Sequence, residues 1–226
     1  MRYRAVYFDA GDTLLTGTPW VERTLGALAE IGISLDRAVV EEAAVKARAW
    51  FELAGPRPRT LDEEMKIWPE YYRFVARTLG VADGDGAVAA HLFRRCFWPH
   101  VAFLFPEALK TLDTLRADGV RVGLISNAAP SMQTALDRLA LTPRLDAIII
   151  SDVVGVAKPD LAIYRLALET LAVPAAASVF VDDLDPNVRA AEDLGMTGLL
   201  IDRAGRYPDT ACRRIADLRE VLTLLR

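Results

Sequence analysis

A chain of 226 residues is long enough to bury a full core and to carry one large domain with a smaller insert. Its 27 basic and 31 acidic residues leave a net charge of -4 with no basic block, which argues against nucleic acid as a partner. Hydrophobic residues make up 52% and charged residues 26%, as in soluble globular proteins. No apolar run reaches the roughly 18 residues that a membrane span needs. Cys96 and Cys212 show neither metal spacing nor a disulfide framework, and the acids close to the start do not suit a secretory signal. The expectation is a cytoplasmic protein, monomer or homodimer, with no nucleic-acid or membrane partner.

In chain order, residues 4–8 are a β-branched and aromatic run that predicts a buried strand, followed at once by the loop Asp9-Ala10-Gly11-Asp12-Thr13. Between Pro19 and Pro99 the texture changes. "WVERTLGALAEIG", "DRAVVEEAAVKARAWFELAG", "LDEEMKIWPEYYRFVARTLG" and "GAVAAHLFRRCFW" repeat apolar residues at three- and four-residue spacing and stop at Gly or Pro, as helices do. All four tryptophans lie here. The stretch "ADGDGA" (82–87) carries Asp-x-Asp-Gly but none of the later ligands of a calcium loop, and reads as a turn.

After Pro106 helices and strands alternate. "PEALKTLDTLRADG" is predicted as a helix, "VRVGLIS" as a strand, "PSMQTALDRLAL" as a helix and "AIIIS" as a strand. They are followed by the helix "DLAIYRLALETLA", the strand "SVFVDD", the helix "PNVRAAEDLG", the strand "TGLLID" and the closing segment "ACRRIADLREVLTLLR". Strands separated by helices of this length imply right-handed crossovers and a parallel sheet. The first strand joins that sheet, so the helical block is an insertion. The expected fold is α/β, a doubly wound parallel sheet of Rossmann-like type formed by residues 1–16 and 101–226, with a helical domain over residues 17–100.

In such sheets ligands bind beyond the carboxyl ends of the strands. The first strand is followed by Asp9, Gly11, Asp12 and Thr13, and "VGLI" by Ser126 and Asn127. "AIIISDVVGVA" is followed by Lys158-Pro159, and "SVFV" by Asp182-Asp183. Each singly has a structural explanation: a turn former, a helix cap, a solvated lysine. Lys158 is one of only four lysines among the 27 basic residues. Polar residues at four strand ends of one sheet outweigh four separate caps.

These motifs resemble those of the haloacid dehalogenase (HAD) superfamily, in the branch whose helical cap is inserted after the first motif. Asp9-Ala10-Gly11-Asp12-Thr13-Leu14 resembles the family's Asp-x-Asp-Gly-Thr-Leu, and "GLISNA" the strand ending in Ser/Thr-Asn. "VGVAKPDLAIY" and "FVDDLDPNVRAAEDLGM" resemble the long third and fourth motifs, and the resemblance covers the whole chain.

The resemblance implies a hydrolase acting on a small phosphorylated molecule through an aspartyl-phosphate. Asp9 would be the nucleophile. Mg2+ would be held by Asp9, the main-chain carbonyl of Gly11 and Asp183, leaving Asp182 as a supporting or alternate ligand. Lys158 would stabilise the transferring group, and Ser126 with the backbone N–H of Asn127 would bind its oxygens.

One position departs from the pattern. The family's general acid sits two residues after the nucleophile, where this chain has Gly11, with Thr13-Leu14 still in register. Either Asp12 substitutes from the next position, or the enzyme prefers leaving groups that need little protonation, or it turns over slowly or not at all. Two other readings follow: a haloacid dehalogenase, against which Asp182-Asp183 speak, and a binding or regulatory protein on the same scaffold. His91 and His100 both lie in the insert, which leaves a Ser-His-Asp hydrolase without its base. In the insert, Trp20 and Arg57 or Arg59 are candidates to face the substrate, while Trp50, Trp68 and Tyr72 are expected in its core.

Overall fold

The computed structural model describes residues 3–53 and 57–224. The chain divides into two compact units, residues 1–16 with 103–226 and residues 17–102.

The first unit starts with β1 (Ala5–Phe8), buried at every position, and continues into β2 (Leu15–Thr16). The second unit then supplies α1 (Trp20–Glu30), α2 (Arg37–Leu53), α3 (Leu61–Thr78), α4 (Ala87–Cys96) and α5 (Trp98–Val101). Its core gathers Leu28, Val40, Tyr71, Tyr72, Val75 and Leu92, with Trp50 and Trp68 packed against them. Trp20 also packs on this core and donates from Nε1 to the Tyr71 hydroxyl at 3.2 Å, so it serves the helical unit's interior. Helix α3 has a reciprocal cap: the Thr60 hydroxyl accepts from Glu63 N–H and Glu63 accepts from Arg59 N–H. In the 82–87 turn both carboxylate oxygens of Asp83 accept N–H bonds from the first turn of α4, at 2.8 and 3.1 Å. Both oxygens of Asp83 therefore cap a helix. The expected stop of the second helix at Gly55 lies outside the described residues. No helix among the described residues is long and apolar enough to cross a membrane.

The chain returns to the first unit through β3 (Phe103–Leu104), which pairs antiparallel with β2. It continues with α6 (Ala108–Ala117), β4 (Arg121–Ser126), α7 (Met132–Arg138), β5 (Ala147–Ile150), α8 (Ser151–Val154) and α9 (Leu161–Leu171). The last elements are β6 (Ser178–Asp182), α10 (Asp185–Asp193), β7 (Thr197–Ile201), β8 (Arg214–Ile215) and α11 (Arg219–Leu224). Six strands form one sheet in the order β5-β4-β1-β6-β7-β8, parallel throughout. Strand order reverses at β1, which puts the crevice of a doubly wound sheet beyond the carboxyl ends of β4, β1 and β6.

Side-chain alternation sorts the core. Ala5, Tyr7, Ile125, Ala147, Ile149 and Phe180 share one face and pack against Ile163, Tyr164 and Ala167 of α9 and Ala190 and Ala191 of α10. The register aligns Phe8 with Leu124 of β4 and Val181 of β6. One residue further, Asp9 falls beside Asp182, and its N–H donates to the Val181 carbonyl at 2.8 Å.

The strands β2, β3 and β8 are not foreseen by the sequence reading, because two-residue strands carry no period. The helix expected to begin near Pro130 starts at Met132, and Ser151, read as strand, opens α8.

Candidate active site

Register places the carboxylates of Asp9 and Asp182 on adjacent strands and on the sheet face covered by α9. Two such groups side by side repel strongly unless a cation lies between them. Lys158, three residues before α9, supplies it. Its Nζ donates to Asp9 Oδ1 at 2.5 Å and to Asp182 Oδ2 at 2.7 Å, with the ammonium 5.4 Å from the Phe180 ring centroid. All three residues are buried, Asp182 completely. Burial alone would depress the Lys158 ammonium, but the two carboxylates more than offset it and hold it above its ordinary value. Burial also pushes the Asp9 carboxyl up, to about 7, against the pull of Lys158 and with added push from Asp182 and Asp183. The ammonium is the fixed positive charge between the two carboxylates.

Asp182 has no oxygen to spare. Besides Lys158 it accepts from Leu184 N–H at 2.8 Å and from Asn187 Nδ2 at 3.1 Å to both oxygens. Asn187 is itself buried and its carbonyl accepts from the Tyr164 hydroxyl. These contacts give Asp182 a supporting place beneath Lys158 and leave Asp183 as the acid open to a further partner. Alternation explains the division, since consecutive residues at a strand end point to opposite faces.

Asn127 does more than its backbone N–H requires. Its side chain donates to the Lys158 carbonyl and accepts from the Lys158 N–H, both at 2.8 Å. Ser126 ends β4, is buried, and its hydroxyl makes no hydrogen bond with the described residues. Neither residue caps a helix through its side chain; the N-cap position of α7 belongs to Ser131.

The Gly11–Asp12 pair is arranged unlike its chemistry would suggest. Asp12 has the left-handed backbone, φ 52°, whereas Gly11 does not, and a Cβ built on Gly11 would meet nothing within 4 Å. Asp is among the few side chains that tolerate the left-handed region. The exposed Asp12 carboxylate accepts from the Thr16 hydroxyl at 2.7 Å.

Two arginines without a recognisable motif complete the site. In the loop after β7, Arg206 donates from Nη2 to Asp183 Oδ2 at 2.7 Å and to the Asp183 carbonyl at 3.3 Å. Burial raises the Asp183 carboxyl, the Arg206 bond pulls it down, and Asp182 and Asp12 push it up. Arg203 donates to the Thr13 carbonyl at 3.1 Å, pairs with Glu107 at 2.7 Å and lies 3.7 Å above the Phe105 ring. Asp12, Thr16, Phe105, Arg203 and Arg206 line a cavity of about 330 Å³. In sequence nothing distinguishes these two among the chain's many arginines.

Among the described residues, no three His, Cys, Asp or Glu side chains converge as a metal cluster. A cation here would need main-chain and water oxygens besides Asp9 and Asp183. That donor set suits Mg2+, which keeps several waters and takes one or two carboxylates.

The profile of the haloacid dehalogenase-like hydrolases matches residues 3–195. The chain is 32% identical to a phosphatase of Mycobacterium tuberculosis over 120 residues, 52% of this chain and 55% of that protein, so the match spans about half of that relative. It is 28% identical to a glyceraldehyde 3-phosphate phosphatase of Methanopyrus kandleri over 239 residues, covering 99% of this chain and 97% of that protein. A crystal structure of a dehalogenase shares the fold, with a TM-score of 0.69 at 22% identity, covering 98% of this chain and 96% of that one. From the profile match along most of its length and a sheet ordered as its strand-end motifs require, the chain belongs to the haloacid dehalogenase-like hydrolase family.

Proposed function

We propose that this hydrolase is a Mg2+-dependent phosphatase that works through a phosphorylated Asp9 and favours small substrates whose leaving group departs without a proton: acyl, anomeric or aryl phosphates. The observation that carries the proposal is the buried Lys158 ammonium, 2.5 Å from Asp9 and 2.7 Å from Asp182. A fixed cation at the nucleophile suits an attack on an anion.

Asp9, the Gly11 carbonyl and Asp183 would hold the cation. When bound, Mg2+ offsets the repulsion between a carboxylate nucleophile and a phosphate dianion. An Asp9 oxygen forms the bond to phosphorus while the bond to the leaving oxygen breaks, its electron pair going with the leaving group. Lys158, the Ser126 hydroxyl and the Asn127 N–H stabilise the equatorial oxygens. Water then attacks phosphorus, releasing phosphate and the Asp9 carboxylate, with the water's proton passing to solvent. Splitting hydrolysis into two displacements is the usual gain of a carboxylate nucleophile.

Gly11 offers no proton to a leaving alkoxide, and an acyl phosphate needs none because its leaving group is already a stable carboxylate. Asp12 is the alternative acid. Its bond to Thr16 and its place in the cavity of Arg206 support the leaving-group reading instead. The relatives named as phosphatases support phosphate chemistry, and we assign substrate choice to the helical unit acting as a cap. A haloacid would bring its own carboxylate towards Asp9 and Asp183, which disfavours dehalogenation.

The test is turnover of acetyl phosphate, p-nitrophenyl phosphate and sugar and nucleoside phosphates, with Mg2+ and with EDTA. Turnover that needs Mg2+, disappears in Asp9→Asn and favours acetyl phosphate is expected. Silence on every phosphate, or chloride release from a 2-haloacid, would overturn the reading.

A further inference from the structure

Asp9 and Asp183 are held in the same manner. Each has one oxygen engaged by a fixed cation, Asp9 Oδ1 by Lys158 and Asp183 Oδ2 by Arg206, and the other oxygen makes no hydrogen bond with the described residues. A carboxylate pinned this way cannot rotate without breaking a charge-assisted bond, so its second oxygen keeps one direction.

Arg206 is itself pinned. Asp202, buried at the end of β7, accepts from Arg206 N–H at 2.7 Å and from Tyr207 N–H at 3.1 Å. Gly205, with φ 68°, makes the turn that delivers them. The guanidinium then reaches both the carboxylate and the carbonyl of Asp183.

We propose that Arg206 is the positioning residue of the cation site: it fixes Asp183 through Oδ2 so that Oδ1 is presented to Mg2+. The inference rests on the Mg2+-dependent reading above and adds to it a residue from outside the four motifs. In this role Arg206 acts through Asp183 and not directly on substrate or cation. The rival role for a guanidinium on this carboxylate is that of a competitor, occupying Asp183 until the cation displaces it. The two roles give effects of opposite sign.

The experiment is titration calorimetry of the metal-free protein with MgCl2, comparing wild type with Arg206→Gln and Arg206→Lys. Melting in EDTA reports whether the variants stay folded; Arg206 is half-exposed, so they should. Loss of an outer-shell partner weakens metal binding by about 10- to 100-fold. Arg206→Gln is therefore expected to bind Mg2+ about 10-fold more weakly, and Arg206→Lys to recover part of that loss, with melting in EDTA nearly unchanged. Equal or tighter binding by Arg206→Gln would overturn the positioning role while leaving the cation site standing. No Mg2+ binding by the wild type would overturn both.

Discussion

Asn127 clamps the main chain of Lys158 from 31 residues away, its amide donating to the Lys158 carbonyl and accepting from the Lys158 N–H, each at 2.8 Å. The pair of bonds ties the end of β4 to the loop that carries the ammonium, so the lysine's position is set by its backbone as well as by Asp9 and Asp182.

Removing that clamp should therefore cost rate. Asn127→Ala leaves the Lys158 side chain intact but frees its backbone, and small misplacements of a catalytic group cost up to about 100-fold. Turnover of acetyl phosphate is expected to fall about 10- to 100-fold with little change in KM. Asn127→Asp, which keeps the acceptor but sets a carboxylate against the Lys158 carbonyl, should do no better. Wild-type turnover in Asn127→Ala would show that the ion pairs alone place Lys158.

Exchanging the residues of the Gly11–Asp12 pair should change which substrates are used. A side chain at position 11 meets open space, and a glycine at position 12 suits the left-handed backbone there. The double variant Gly11→Asp, Asp12→Gly should gain about 100-fold on sugar phosphates, the range of one general acid, and change little on acetyl phosphate. Its melting temperature should not fall. An equal change on both substrate classes would mean that protonation does not limit the natural site.

Metal-free protein should lose stability as pH rises towards neutrality. Burial first, and the neighbouring acids after it, raise the folded Asp9 carboxyl to about 7 despite Lys158. A carboxyl raised on folding contributes stability that is fully present below its ordinary value near 4 and is lost as pH rises through its folded value. In EDTA the melting temperature is expected to decline between about pH 4 and 7, and Asp9→Asn should flatten that decline. A slope unaffected by Asp9→Asn would place the titration elsewhere.

Two glycines should resist substitution because of what lies against them. A Cβ at Gly123 would sit 2.4 Å from Cδ1 of the buried Tyr7, and one at Gly198 would sit 2.6 Å from Cγ1 of the buried Val188. Overpacking of this kind costs about 1–3 kcal/mol. Gly123→Ala and Gly198→Ala should each lower the urea midpoint, whereas Gly11→Ala, which meets nothing, should leave it within error.

The sequence by itself determined the parallel α/β unit, because buried strands and amphipathic helices carry their periods in the chain, and it marked Asp9, Ser126, Lys158 and the paired acids because they follow strand ends. It did not determine which paired acid meets Lys158. Strand alternation and register decided that, turning Asp182 towards α9 and leaving Asp183 to Arg206. Nor could it reveal the Asn127 clamp or the contacts of the two loop arginines, since their partners lie 23 to 190 residues away and no local pattern marks those contacts. Local preference is written in consecutive residues, whereas long-range charge pairing exists only once the sheet has set its register.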